Sequence, residues 1–399
     1  MRIVYVDDTR DIRDLLEHHL AAWGYEATGA SDGEEGWSLI QSLDPDIVIT
    51  DWMMPGMDGI ELCTRIRSAV RSRYVYVILL TARNYKEDLV VGMNAGADDF
   101  IGKPFDWREL KARINAAARI IALERALEER NRKLREAYDV IEEGLTAAAR
   151  IQKSLIPQKI DHYQRLGYDW LFLPSQFVAG DIFNILPIDE HTLAFYLLDV
   201  SGHGIPAALL STSLSRILTP SPNFSGPLRR PLAEPPFYRV TPPRDVVSEL
   251  NERFLNDGVQ IEYFTIVYGI INIQSAAGVL TQAGHPSPIH QGCDGSVRLI
   301  GDGGFPVGMI PDAEYEEHGF ALAPGERLFL YSDGITECRG KGDALFGVTR
   351  LLDLIQHGYR LPLRDLMTRI ERELAEFRGG SHFDDDISLL VVERSSTEP

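Results

Sequence analysis

Apolar runs divide the 399-residue chain into three stretches of different rhythm. From Arg2 to about Ala117, short apolar runs alternate with amphipathic, helix-like segments; the clearest runs are Ile3 to Val6, Ile47 to Thr50 and Tyr74 to Thr81. That alternation predicts a doubly wound α/β domain around a parallel five-stranded sheet. Between Ala118 and Arg150 there is no proline and a single glycine, Gly144. Apolar residues recur there every seven positions at Ile120, Leu127, Leu134, Ile141 and Ala148, with a mixed second seam at Glu124, Asn131, Tyr138 and Leu145. The period fits a helical coiled-coil connector, and Asn131 is the kind of polar residue that fixes register in a two-stranded pairing, hence a homodimer. A single amphipathic helix on a flanking domain, or a solvated linker, competes with this because the second seam is poor. Pro157 should stop the helix.

Beyond Pro157 the runs Asp169 to Leu173, Leu193 to Val200, Phe264 to Ile273, Arg327 to Tyr331 and Ile387 to Val392 are often separated by turn residues. Helical periodicity marks Pro206 to Leu218, Arg244 to Phe254 and Pro362 to Phe377. The expectation is an α+β domain of antiparallel sheets flanked by helices. Eight prolines between Thr219 and Asp245 predict a mobile surface loop outside any sheet or helix, with Arg229 and Arg230 as a solvated charge pair. The division expected is 1–117, 118–157 and 158–394.

The polar residues that interrupt these runs carry the chemistry. Asp7 and Asp8 follow the first strand, Asp51 the third, Thr81 the fourth, and Lys103-Pro104 a short run ending near Ile101. Ligands of a doubly wound sheet sit at these strand ends. Three carboxylates there can hold one Mg²⁺, while a hydroxyl and a lysine neutralise the oxygens of a phosphoryl group arriving on Asp51, the nucleophile. In the last domain, Asp199 closes one apolar run, Asp333 closes another, and Asp384-Asp385-Asp386 opens a third, with Gly180-Asp181 upstream. Any one of these is explained by the preference of Asp and Gly for turns. Four together suggest carboxylates converging on one sheet edge, where they repel unless a hard divalent cation lies between them.

A net charge of −19 argues against a sequence-independent grip on nucleic acid, which needs a basic surface. Cys63, Cys293 and Cys338 are scattered without metal-ligand spacing, which fits a reducing compartment. Met1 leads straight into a strand-like run and no apolar segment reaches membrane-spanning length, so a soluble, cytoplasmic protein with no membrane partner is expected.

With Asp7-Asp8, Asp51 followed by Met54-Pro55-Gly56-Met57-Asp58-Gly59, Thr81-Ala82, Gly96-Ala97-Asp98-Asp99-Phe100 and Lys103-Pro104, the first stretch resembles the CheY-like receiver domain of response regulators. The resemblance implies Asp51 as phosphoacceptor and Mg²⁺ at Asp8 and Asp51, helped by Asp7 and the Met53 carbonyl. It further implies Phe100 as switch partner of Thr81, a role for Lys103, a cis peptide before Pro104, and a sensor histidine kinase or phosphotransfer protein as partner.

The last stretch resembles the SpoIIE-type branch of the metal-dependent (PPM, type 2C) protein phosphatases. The matching motifs are Ile151 to Pro157, Val178-Ala179-Gly180-Asp181, Asp199 to Ala208, Ala283-Gly284-His285-Pro286, Phe305-Pro306-Val307-Gly308, Leu330 to Glu337, and Asp384 to Ser388. This implies two Mn²⁺ or Mg²⁺ ions bridged by Asp199 with support from the Val200 carbonyl, completed by Asp333 and Asp385, with Asp181 acting through water or at an accessory position. A water held by two cations attacks phosphorus without a protein nucleophile. The implied substrate is a phosphoserine or phosphothreonine protein, a STAS-type anti-sigma factor antagonist in this branch. Two positions depart from the family pattern: Ala179 stands for a glycine, and Asn184 for a carboxylate, which weakens metal affinity if that position faces the ions. His203 and His285 are read as loop-organising side chains rather than principal site residues. A non-catalytic adaptor that binds a regulatory protein is the alternative function.

Overall fold

The computed structural model describes residues 1–69, 73–82, 86–163, 165–220, 226–255, 263–380 and 382–395. It contains two compact units, Met1–Val140 and Ile141–Pro399. Among the described residues no helix is long and apolar enough to cross a membrane.

The first unit alternates β1 (Arg2–Val6), α1 (Arg10–Ala22), β2 (Glu26–Ala30), α2 (Gly33–Leu43), β3 (Ile47–Asp51), α3 (Gly59–Ser68), β4 (Tyr76–Thr81), α4 (Lys86–Asn94) and β5 (Asp99–Gly102). All five strands pair in parallel in the order β2-β1-β3-β4-β5. Strand order reverses beside β1, which opens a crevice at the carboxyl ends of β1 and β3. Both faces of the sheet are covered, so β4 is buried at every residue and reads as an unbroken apolar run. One face packs Val4, Val48 and Leu79 with Leu62 and Ile66 of α3. The other packs Ile3, Ile49 and Ile78 with Leu16 and Leu20 of α1 and the first turns of α5 (Trp107–Leu155).

Helix α5 runs without interruption for 49 residues, so the receiver-like unit's last helix and the predicted connector are one element. Leu110, Ile114, Ala117 and Ile121, at helical spacing, are buried on the sheet. Arg125 then pairs with Asp46, which also accepts from the Arg2 backbone N–H. Beyond that point the heptad residues are exposed: Leu127 at 54%, Leu134 at 56% and Ile141 at 56%. Pairs such as Arg132–Glu136 and Lys133–Glu129, one turn apart, support this solvated stretch. The helix ends two residues before Pro157.

The second unit continues through β6 (Ile160–Tyr163), β7 (Leu166–Leu173), β8 (Ile182–Pro187), β9 (Thr192–Val200), α6 (Ile205–Ile217), β10 (Arg229–Pro231), β11 (Tyr238–Val240) and α7 (Pro243–Phe254). There follow β12 (Phe264–Asn272), β13 (Ala277–Ala283), β14 (Ile289–Gln291), β15 (Val297–Leu299), β16 (Glu317–Ala321), β17 (Arg327–Tyr331), α8 (Asp333–Thr336), α9 (Gly347–His357), α10 (Leu363–Arg378) and β18 (Ile387–Arg394). Two antiparallel sheets result, β16-β13-β12-β9-β8 and β15-β14-β17-β18-β7-β6. Successive residues of a strand face opposite ways, so one face of each sheet builds the central core: Phe195, Leu197 and Phe183 meet Leu328, Leu330 and Leu390. Their alternates, Tyr196 and Leu198 on one sheet and Phe329 and Leu389 on the other, pack under the α6–α7 and α9–α10 layers respectively.

The proline-rich stretch departs from expectation. Arg229–Pro231 and Tyr238–Val240 pair as a short antiparallel ribbon, and Pro243 opens α7. Two-stranded pairing of three residues tolerates proline at its end, and a helix's first turn needs no proline N–H. Arg229 lies 4.7 Å over the Tyr238 ring and Arg230 binds Glu249 at 2.6 Å, so neither is a free solvated charge. Residues 221–225 of this stretch lie outside the described residues.

Candidate functional site

Two groups of carboxylates stand at strand ends. In the first unit, Asp7 is fully buried after β1, Asp8 is exposed beside it, and Asp51 is the last residue of β3. One oxygen from each lies within 4.8 Å of the others. Lys103, brought in after β5, places its Nζ 2.7 Å from Asp7 and 2.9 Å from Asp51. The Asp51 carboxyl is pushed up by burial and by Asp7, against the pull of Lys103. Burial opposes the charge on Lys103, yet Asp7 and Asp51 together hold its proton affinity above the ordinary lysine value. Thr81 is buried at the end of β4, Phe100 is half-buried in β5, and Met53 is 59% exposed beside Asp51. The peptide before Pro104 is cis. Asp7, Asp8, Asp51 and Lys103 therefore gather at one crevice, with an anion-compensating lysine already in place.

In the second unit, Asp199 is the penultimate residue of β9 on one sheet, whereas Asp333 follows β17 and Asp385 precedes β18 on the other. Strands β17 and β18 are neighbours, so Asp333 and Asp385 are set side by side by the ladder that pairs Tyr331 with Leu389. Ser332 locks this junction: its N–H donates to the Ser388 carbonyl at 3.0 Å, and its hydroxyl accepts the Ser388 N–H at 3.0 Å. Gly334 is obligatory here, because a Cβ on it would stand 2.0 Å from the Asp386 carbonyl oxygen. A Cβ on Gly180 would crowd the Val200 carbonyl at 3.2 Å, which places the Asp181 backbone against the end of β9.

Electrostatics ties these side chains into one group. Burial, then the charges of Asp333 and Asp385, lifts the Asp199 carboxyl to about 8. Asp181, only 1% exposed, is raised by burial and by Asp199 and Asp386, against the weaker pull of the Ser388 and Ser332 hydroxyls beside it. Desolvation raises Asp333, as does Asp385 beside it; Asp385, at the exposed rim, is raised by partial desolvation and by Asp386 and Glu337. Among the described residues no lysine or arginine pairs with these four; Arg378, the nearest in sequence to Asp385, binds Asp384 instead. The spacing is looser than in the first unit, since no three of the four meet the 4.8 Å closeness of Asp7, Asp8 and Asp51. An all-oxygen, mutually repelling set fits hard divalent cations.

Two further residues support the site without having been singled out from the sequence. Asp386 is buried and accepts from the Gly180 N–H at 2.7 Å and from Ser175 at 2.8 Å, so it ties the Asp181 loop to the start of β18. Gln152, near the end of α5 and 3% exposed, donates to the Ala179 carbonyl at 2.7 Å and accepts the Ala179 N–H at 3.0 Å; it also reaches Ser211 of α6 at 3.3 Å. Asn184 turns out not to join the aspartates. Its Nδ2 donates to the Leu155 carbonyl at 2.9 Å, closing the end of α5, a task a carboxylate lacks the proton to perform. His285 is buried against Thr265 at 2.7 Å and held neutral by burial, its pKa lowered to about 3. His203 is exposed, 3.4 Å from Gln176, close enough for its charge to act on Asp385.

Residues 189–395 match the family model described as Stage II sporulation protein E (SpoIIE), and residues 3–115 match the response regulator receiver domain. The fold of the second unit is similar to the SiaA-PP2C domain of Pseudomonas aeruginosa, at 20% identity over 64% of this chain and 98% of that one, with a TM-score of 0.53. The PP2C phosphatase domain of SpoIIE from Bacillus subtilis, solved with a fragment of its regulatory domain, matches at 19% identity over 59% of this chain and 63% of that one (TM-score 0.48). A response regulator from Chloroflexus aurantiacus matches 29% of this chain and 95% of its own length at 34% identity (TM-score 0.28). With more than half of its length under the first of these family models, the chain belongs to the SpoIIE family and carries a response regulator receiver domain ahead of its PP2C-type phosphatase domain.

Proposed function

We propose that the protein is a two-component response regulator in which phosphorylation of Asp51 controls a divalent-metal-dependent phosphoserine/phosphothreonine phosphatase. The observation that carries the reading is the convergence of Asp181, Asp199, Asp333 and Asp385, from four remote segments, on one uncompensated acidic site. Asp199, Asp333 and Asp385, with the Val200 carbonyl, would hold two Mn²⁺ or Mg²⁺ ions, and Asp181 would hold a water or an accessory ion. The ions supply an acidified water and offset charge on the phosphoryl oxygens. The chain's own part is to fix those oxygens: Asp386 and Ser332 brace the loops, Gly180 and Gly334 permit their close approach, and His203 stands at the rim.

In the receiver, Asp7, Asp8, Asp51 and the Met53 carbonyl would hold Mg²⁺. Lys103 and Thr81 receive the phosphoryl oxygens, and Phe100 responds with Thr81. A sensor histidine kinase or phosphotransfer protein supplies the phosphoryl group. The functional division is the receiver at 1–117, connector at 118–157 and phosphatase at 158–394.

The connector carries the signal in this reading because the last turn of α5 holds Gln152, whose side chain grips Ala179 two residues before Asp181. A shift or twist of α5 is felt at that peptide. The exposed heptad seam supports a parallel homodimer. At its lower end Ile141, Leu145 and Ala148 form, with Val178, Ile205 and Leu209, an apolar groove of about 440 Å³ that the same helix of a second copy would cover. The substrate, following the family resemblance, is a phosphorylated STAS-type anti-sigma factor antagonist in the cytoplasm.

The test is turnover of p-nitrophenyl phosphate and of a phosphorylated antagonist with Mn²⁺, for wild type, Asp199→Ala, Asp333→Ala and Asp51→Ala, with and without acetyl phosphate. Metal-dependent hydrolysis lost in the first two variants, and an acetyl phosphate response lost in the third, support the proposal. Partner binding with no hydrolysis under any metal would replace it with the adaptor reading.

A further inference from the structure

The β10–β11 ribbon of the proline-rich stretch has no task so far. Its base is fixed: Leu228 and Thr241 are buried, the Thr241 N–H donates to the Leu228 carbonyl at 3.0 Å, and Arg230 reaches Glu249 of α7. Its tip is not, since every residue from Pro231 to Phe237 is exposed. The tip closes on its own backbone, the Phe237 N–H donating to the Glu234 carbonyl and the Leu232 N–H to the Phe237 carbonyl, both at 2.8 Å. Two apolar side chains therefore flank the turn in water, Leu232 at 43% exposure and Phe237 at 56%. Phe237 also has a φ of 65°, a left-handed conformation that penalises a bulky side chain and that glycine adopts freely. A turn serving the fold alone would carry glycine or asparagine there.

Charge sets the ribbon apart as well. Arg230 and Arg239 are register partners on one face, a like-charge pair that costs stability. Glu249 holds Arg230, whereas the exposed Arg239 side chain has no hydrogen bond or ion pair among the described residues. Residues 226–244 carry four arginines against one glutamate, a net +3, in a chain of net −19, so the rest carries −22. An unmatched arginine beside an exposed apolar pair is complementary to an acidic partner with an apolar patch. The seven exposed residues of the tip fall short of the roughly 20 a side that a stable dimer buries, and suit a transient partner such as a substrate.

The ribbon is also within a substrate's reach of the aspartates. Helix α7 runs from Pro243, at the ribbon's base, to Phe254, whose ring lies 5.6 Å from that of Phe264, the register partner of Val200. Its 12 residues put the base roughly 18 Å from the end of β9, a distance that about six extended residues span.

We infer that the ribbon tip, through Leu232, Phe237 and Arg239, is a docking site for acidic phosphoprotein substrates, engaged apart from the reacting phosphate. The inference rests on the phosphatase reading above.

The test is steady-state turnover by the full chain with Mn²⁺ on two probes, phosphoserine-bearing casein, which is acidic, and p-nitrophenyl phosphate, which is too small to touch the ribbon. Phe237→Gly, which glycine's freedom at this φ lets fold as the parent does, and Arg239→Glu are compared with wild type. Each is expected to raise the KM for casein about 10-fold with kcat unchanged, and to leave both constants for p-nitrophenyl phosphate within about 2-fold. Added salt should raise the casein KM of wild type more than that of Arg239→Glu. An unchanged casein KM in both variants overturns the inference, as do equal losses on both probes, which would mark a disturbed catalytic site. A change of oligomeric state in sedimentation velocity with casein kinetics intact would assign the tip to a second copy and overturns it too. Wild type that hydrolyses p-nitrophenyl phosphate but not casein overturns the docking site alone; wild type that hydrolyses neither overturns the phosphatase reading, and this inference with it.

Discussion

The two acidic sites of this chain are built from the same side chain and solve its electrostatics in opposite ways. In the receiver, Lys103 sits 2.7 and 2.9 Å from two of the three aspartates, and the crevice contains its own counter-cation. In the phosphatase, Asp199 faces Asp333 and Asp385 with no basic partner among the described residues, and its carboxyl is driven up to about 8. The first site suits a phosphoryl group that comes and goes, because the lysine can meet either the carboxylates or the incoming oxygens. The second holds no counter-charge of its own, and a set of carboxylates so placed fits a hard divalent cation.

Removing the shared carboxylate should separate the sites most sharply. Asp199→Asn is expected to lower metal-dependent phosphatase turnover about 1,000-fold while leaving acetyl phosphate labelling of Asp51 intact, measured in parallel on one preparation. Equal loss of both activities would mean that the two sites are not independent. The next effect lies in the receiver. Lys103→Met strands the buried Asp7 without its partner and should cost about 3 kcal/mol in urea unfolding of the receiver, with phosphorylation nearly abolished.

A smaller loss is expected at the junction between α5 and the catalytic loops. Gln152→Ala leaves the buried Ala179 N–H unpaired and its carbonyl with only the Ser211 hydroxyl at 3.4 Å, for about 2 kcal/mol in thermal unfolding, and should sever the response of turnover to acetyl phosphate. Retained stability with retained response would remove Gln152 from the signalling route. The pH dependence sharpens the contrast further. The folded Asp199 carboxyl lies above its ordinary 3.8, so its contribution is fully present below about pH 4 and is lost progressively as pH rises toward 8. The metal-free melting temperature should therefore fall over that window more in wild type than in Asp199→Asn, and Mn²⁺ should reverse the difference. Smallest of all, Asn184→Asp should lower stability by about 1 kcal/mol, by turning a donor to the Leu155 carbonyl into an acceptor, yet leave Mn²⁺ affinity unchanged.

The receiver crevice was legible because each of its polar residues ends or follows an apolar run, and a parallel sheet puts all such ends on one edge. Asp199, Asp333 and Asp385 were legible for the same local reason. Asp386 was not, although it adjoins Asp385: its role is defined by the Gly180 N–H, 206 residues away, and nothing in a run of three aspartates says which one turns inward. Gln152 likewise reads as an ordinary polar residue on a charged helix until Ala179 and Ser211 close around it. The departure at Asn184 pointed toward the metals when judged by its motif, and away from them once the end of α5 was in place. The proline-rich stretch misled because composition disfavours long elements but says little about a ribbon of three residues.

Hydrophobic periodicity along the chain, by itself, determined the parallel sheet, the long helix, the paired antiparallel sheets and the acidic residues at their ends, since burial of alternate or helically spaced side chains is a local requirement. Tertiary structure alone decided which carboxylates face one another without a counter-cation and which polar side chains brace them. Those outcomes depend on contacts between residues tens to hundreds of positions apart, whose partners are chosen by the packing of layers rather than by neighbours in sequence.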